Sequence, residues 1–141
     1  MALILWRVKK QSKSSLSSLT EGGDVIMFLT KDIDPEEYEY FDQPGMKRVK
    51  RRRLLNPDNS SKNFALRAYL IEPAGHTSFD IHPHEHGVYL LSGEVFVKVG
   101  NEELLLKPGD VLHIASNEPH QFFNRGSEPV KFLCVRDLTS S

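Results

Sequence analysis

The sequence predicts an all-β protein, a small antiparallel barrel or sandwich over about residues 46–141, preceded by a short N-terminal extension. Three observations predict it. From Met46 onward, nine short runs of β-forming residues alternate with turn signals at spacings near ten residues. No crossover helix separates the runs, which argues against a parallel sheet. A chain of 141 residues, 39% hydrophobic and 26% charged, fits one domain with one core.

Residues 1–45 read as an arm with a short helix, packing on the barrel or on a partner. Met1–Trp6 is apolar but stops at Arg7. That is too short for a secretion signal or a membrane span, so a cytoplasmic protein with no membrane partner is expected. Ala2–Val8 could pack as an extra edge strand. Gln11–Thr20 is polar and serine-rich and reads as a linker. Asp24–Leu29 is a short strand. Asp34-Pro35-Glu36-Glu37 carries a helix-start signature: an N-cap acid, proline at the first helical position, and acids in the first turn. Gln43-Pro44-Gly45 ends any such helix.

The expected strands are Lys47–Leu55, Phe64–Glu72, His76–Ile81, Gly87–Leu91, Glu94–Val99, Glu102–Leu106, Asp110–Ala115, Gln121–Asn124 and Val130–Val135. Turns are expected at Asn56–Asn59, Pro73–Gly75, Pro108–Asp110 and Asn124–Ser127, with tight hairpins at Ser92-Gly93 and Gly100-Asn101.

Charge excludes some partners. Six of the seven residues Lys47–Arg53 are basic, yet net charge is −1 and no aromatic residue is interleaved. This fits a strand with basic side chains on its solvent face, offset by the acids of Glu36–Glu39, better than a nucleic-acid patch. The one cysteine, Cys134, cannot form an internal disulfide and reads as a small buried hydrophobe.

The chemistry concentrates in two stretches. In the first, Asp80, His82, His84 and His86 share one parity, so an extended strand would place all four on one face. Imidazole nitrogens and a carboxylate oxygen suit borderline divalent transition metals, and such a cluster is costly to desolvate without a cation. An exposed loop with a chance cluster of histidines is the competing reading. The second stretch, Lys107–Asn124, reads as turn, strand, turn, strand and contains His113 and His120.

Together the two stretches resemble the cupin family, whose motifs are G-x5-H-x-H-x3,4-E-x6-G and G-x5-P-x-G-x2-H-x3-N. With Gly93 as the closing glycine, His86 falls at the glutamate, His82 at the second histidine, Asp80 at the first and Ala74 at the opening glycine. In the second motif Gly109, His120 and Asn124 match, Ala115 replaces proline, and Asn117 replaces a glycine. Asparagine tolerates the left-handed conformation that such a glycine adopts. The run His82-Pro83-His84-Glu85-His86 is similar to a subgroup of small single-domain cupins with histidine at the glutamate position.

The resemblance implies a double-stranded β-helix, or jelly roll. It also implies one divalent transition metal per chain (Mn, Fe, Ni, Cu or Zn) held by His82, His86 and His120, with Asp80 as the carboxylate donor. His84 is then an alternative ligand or a supporting residue, and Glu85 is free to orient a ligand histidine. Strand alternation should line the pocket with Phe64, Leu66, Phe79, Tyr89, Leu91 and Phe122. The expected function is a metal-dependent oxygenase, isomerase or lyase acting on a small molecule. A non-catalytic sensor or storage module is the alternative. His84, Glu85 and Tyr89 are the nearby residues able to act as a base. Small cupins are often homodimers, which makes Met1–Val8 a candidate for pairing with a partner.

Overall fold

Alternation of apolar and polar residues from Met46 onward builds two antiparallel layers that curl around one core. The computed structural model describes residues 15–31 and 35–139. The predicted roles of Met1–Val8 and of Asp34 fall outside those residues.

Of the region expected to be a linker, the described part, from Ser15 on, is a strand instead. β1 (Ser15–Glu21) pairs antiparallel with β2 (Asp24–Lys31). Gly22 and Gly23, with φ of 57° and 86°, join them. Two successive positive φ values define the mirror-image turn that matches strand twist, and glycine reaches it without steric cost. That dipeptide outweighs the serine-rich composition of β1. The helix signature yields only a 3₁₀ turn at Pro35–Glu37, whose Glu37 pairs with Arg52. No helix among the described residues is long and apolar enough to cross a membrane.

β3 (Glu39–Tyr40) pairs with β4 (Lys47–Leu55), and β4 with β5 (Phe64–His76). Of the basic run of β4, Lys47, Arg48 and Arg53 are exposed as expected, while Lys50, Arg51 and Arg52 are half-buried, and Arg51 lies over the Phe41 ring. β6 (His86–Ser92), β7 (Val95–Val99), β8 (Glu102–Leu106), β9 (Val111–Ile114), β10 (His120–Phe123) and β11 (Val130–Asp137) follow. One layer runs β3-β4-β5-β11-β6-β9 and the other β5-β10-β7-β8, so β5 belongs to both.

The dual role of β5 corrects the turn expected at Pro73–Gly75. The strand runs on to His76, bending at Ala74 (φ 66°), and changes partner from β11 at Ile71 to β10 at His76. Asn124 secures the bend. Its buried amide donates to the Ile71 and Glu128 carbonyls, and its Oδ1 accepts from Gly126 N–H. The strand expected at His76–Ile81 reduces to the end of β5 plus a two-hydrogen-bond bridge between Asp80 and His120. Ser92-Gly93 is likewise not a hairpin turn. It carries the chain from β6 in one layer to β7 in the other. A side chain at Gly93 (φ 79°) would collide with the Pro129 carbonyl at 2.5 Å.

The layers meet through Val49, Ile71, Val88, Leu90, Val95, Val97, Ile114, Val130 and Phe132, all almost fully buried. Tyr69, Phe132 and Phe122 stack in series, with centroids 5.1 and 4.9 Å apart and planes within 14°. This aromatic pile fills the middle of the barrel. Next to it stands the histidine cluster.

Candidate metal centre

β6 supplies His86, the first residue of the strand, and β10 supplies His120 in the same way. Both side chains are buried. His82 lies on the connection into β6 and is anchored from two sides. Asp80, two residues earlier, bridges to His120, and the His82 carbonyl accepts from Asn117 N–H at 2.8 Å. Asn117 takes the left-handed conformation expected of it (φ 63°).

The chain does not stay extended between His82 and His86. In a strand, residues four apart are about 13 Å apart. A bend at Pro83-His84 instead brings the Nε2 atoms of His82 and His86 to 3.0 Å. The side-chain donor atoms of His82, His86 and His120 all lie within 4.8 Å of one another.

Each of these rings is held through Nδ1. His82 Nδ1–H donates to the His84 carbonyl at 3.2 Å, and His120 Nδ1–H donates to the Glu118 carbonyl at 2.8 Å. His86 Nδ1 faces the Cys134 sulfur at 3.2 Å. With Nδ1 engaged, Nε2 remains as the free donor, the arrangement that outer partners impose on metal-binding imidazoles. Two nitrogens each roughly 2.1 Å from one ion, at right angles, stand about 3.0 Å apart. The His82–His86 spacing therefore fits a shared cation.

Burial lowers the pKa of three rings, His82, His84 and His86, and so favours their neutral forms. Burial, then the Arg67 guanidinium, pushes His86 down to about 2. Burial, then His82, pushes His84 down to about 4, and burial followed by His120 lowers His82. An unprotonated ring is the form that binds metal. These depressed values set the sign of a pH effect on the metal-free protein. The unfolded chain takes up protons below about 6.5 while the buried rings do not, so stability is full above that pH and falls as pH drops towards 4 and below. The urea midpoint should fall less steeply between pH 6.5 and 4 in His86→Gln than in the wild type. Equal slopes would remove His86 as the cause.

The other predicted residues divide sharply. The Asp80 carboxylate lies on the cavity wall but is held by Ser78 Oγ at 2.9 and 3.0 Å, outside the three-histidine group. His84 is neither free nor a fourth member of that group. Its ring stacks on His82 at 3.6 Å between centroids, with planes at 12°. Glu85 orients no member of the group; it pairs with the exposed His113 at 2.9 Å.

The cavity beside the cluster measures about 240 Å³. Of the six predicted lining residues, Phe122 alone lines it. Phe64, Phe79, Tyr89 and Leu91 are exposed, and Leu66 is absent from the wall. The reason is strand parity. His86, Val88 and Leu90 point inward on β6, so Tyr89 and Leu91 point out. On β5 the inward series is Ala65, Arg67, Tyr69 and Ile71, which excludes Phe64 and Leu66. Sequence reasoning missed Arg67, Tyr69, Cys134 and Arg136, all of which line the cavity. The strand pairing carries the signal that places them: Arg67 is level with Cys134 and Tyr69 with Phe132 across β5–β11, and Arg136 with His86 across β11–β6. A larger cavity of about 570 Å³, between the β1–β2 hairpin and β4, has no imidazole in its wall.

Comparison with known proteins agrees with this architecture. The family model described as "Cupin domain" matches residues 68–136. The chain is 34% identical over 70 residues to the 1-methylthio-D-xylulose 5-phosphate methylsulfurylase of Rhodospirillum rubrum, covering 50% of this chain and 45% of that protein. It thus spans less than half the length of that relative. It is 33% identical over 86 residues to an uncharacterized protein of Methanocaldococcus jannaschii, covering 59% and 68%. Among solved structures, the polyketide cyclase RemF from Streptomyces resistomycificus superposes with a TM-score of 0.70 at 24% identity, covering 79% of this chain and 82% of that one. A cupin-2 domain protein from Rhodospirillum rubrum superposes at 0.64 and 21%, covering 99% and 79%. At these identities both likenesses are of fold.

Proposed function

The chain belongs to the cupin family, and from that premise we propose that it is a metal-dependent protein, an oxygenase, isomerase or lyase acting on a small molecule. One observation carries the reading. Three imidazoles from both layers converge, each restrained at Nδ1, at the wall of a cavity. In this reading His82, His86 and His120 hold one divalent transition metal. Asp80, hydrogen-bonded by Ser78 Oγ, is the carboxylate that would join them. A metal ion bound there supplies Lewis acidity to a substrate carbonyl or enolate oxygen, or a site for dioxygen.

The protein's own groups do the rest. Phe122, Phe132 and Tyr69 form an apolar part of the wall. Burial raises the Tyr69 phenol above its ordinary range, so it stays protonated. His86 must present a lone pair at Nε2, which leaves Nδ1–H to donate to the Cys134 sulfur. Of the three residues proposed as a base, Glu85 and Tyr89 are exposed, and His84 faces the cavity. With its pKa near 4, His84 is a weak proton acceptor. That weakness favours, as the second reading, a non-catalytic module that binds a metal or small molecule. The homodimer and the cytoplasmic location stand as proposals. The exposed Met27 and Leu29 of β2, which share one parity, offer an apolar contact for the dimer.

Cobalt(II) loading tests the main reading. The loaded protein should show visible bands that shift when azide is added, because azide takes an open coordination position. Bands that ignore azide would indicate a saturated site and sink the enzyme. Failure to take up cobalt would sink both readings of the metal.

A further inference from the structure

The charge of the cavity is unbalanced. Three guanidinium groups, those of Arg51, Arg67 and Arg136, line it, against one carboxylate, Asp80. Ser78 already engages that carboxylate. Arg51 is also engaged, lying over the Phe41 ring and donating to Tyr69. Arg67 and Arg136 are less fully engaged, although the Tyr69 ring centroid lies 5.6 Å from the Arg67 guanidinium carbon. Arg67 is only 9% exposed, and its Nε is buried without a hydrogen-bond partner. Its Nη2 meets a thiol, the Cys134 sulfur at 3.5 Å, which is a poor acceptor for a cation. The Nε of Arg136 is likewise buried and unsatisfied.

The strands place these two groups side by side. Arg67 is level with Cys134 across the β5–β11 ladder, and Arg136 is level with His86 across β11–β6. Burial, and after it the charge of Arg67, lowers the Arg136 pKa, as expected of adjacent cations. A buried cation without a counter-charge is costly to keep, and the fold that keeps Arg67 in this cavity, with the half-buried Arg136 beside it, has a use for their donors.

We propose that Arg67 and Arg136 form an oxyanion subsite, so that the small molecule entering this cavity carries a carboxylate or phosphate group beside the three imidazoles. The planar fork of arginine presents paired N–H donors to either group. The subsite rests on the metal reading for what stands next to the anion, but the anion contact itself needs no metal.

Calorimetry with oxalate and with inorganic phosphate, on metal-free and metal-loaded protein, tests it, with neutral oxamide as the control. Arg136→Gln should weaken the better-bound oxyanion roughly ten- to hundredfold at unchanged metal content. Arg67→Met should weaken it similarly while melting at the same or a higher temperature, because an unpaired buried cation is replaced by an apolar chain. A merely structural arginine would lower the melting temperature instead. Tighter binding of oxalate than phosphate would assign the group to a carboxylate, and the reverse order to a phosphate. Oxyanion binding that survives without metal and falls in Arg136→Gln supports the subsite even if no metal ever binds. Metal bound normally, with oxyanion affinity insensitive to both arginines, overturns the subsite alone. So does oxamide binding as well as oxalate, or no oxyanion binding by the wild type.

Discussion

Replacing His82 and His120 together by alanine is expected to take the purified protein from about one transition-metal ion per chain to none. The two substitutions remove two of the three converging nitrogens and leave His86 alone. One imidazole holds a divalent ion weakly, so the loss should be complete after dialysis rather than partial. Elemental analysis of the tag-free wild type beside the double variant decides the matter. Circular dichroism confirms that the variant keeps its strands, as the backbone bridge between Asp80 and His120 does not involve the imidazoles. The element found narrows the chemistry, iron towards oxygen and zinc towards hydrolytic or isomerising work. A wild type that stays empty after metal is supplied, or a variant that loads as well as the wild type, ends the metal reading.

Phe132→Ala should cost about 3–5 kcal/mol of folding stability, the range for truncating a fully buried aromatic ring. Phe132 lies between Tyr69 and Phe122, stacked on both, and is 2% exposed. Its loss opens a hole that touches both layers, because Tyr69 comes from β5 and Phe122 from β10. Urea unfolding followed by tryptophan-independent circular dichroism measures the change. A loss below about 1 kcal/mol would mean the pile is not the centre of the core.

The barrel was legible in the sequence because its strands are short, patterned and separated by strong turn residues. The reading failed where one residue pair had to be weighed against composition, as at Gly22-Gly23, whose two positive φ values make β1 a strand despite its serines. It failed again at Pro73–Gly75, where turn chemistry marks a bend inside β5 rather than its end. The three histidines were legible from motif spacing. The cavity wall was not, because alternation alone does not say which parity faces in: inward His86 on β6 leaves Tyr89 and Leu91 outside, and inward Arg67 and Tyr69 on β5 leave Phe64 and Leu66 outside. Arg67 and Arg136 are residues that burial statistics place outside, and only the pairing of β5, β11 and β6 puts them within.

His86 belongs to the layer that contains β6, and His120 to the layer that contains β10. An ion shared by the two would therefore act as a cross-link between sheets that otherwise meet through apolar side chains and the single strand β5. It would close a long loop of chain, as a disulfide does, and shrink the ensemble available on unfolding. Metal supply would then set how long the barrel survives heat or protease as well as what it can do.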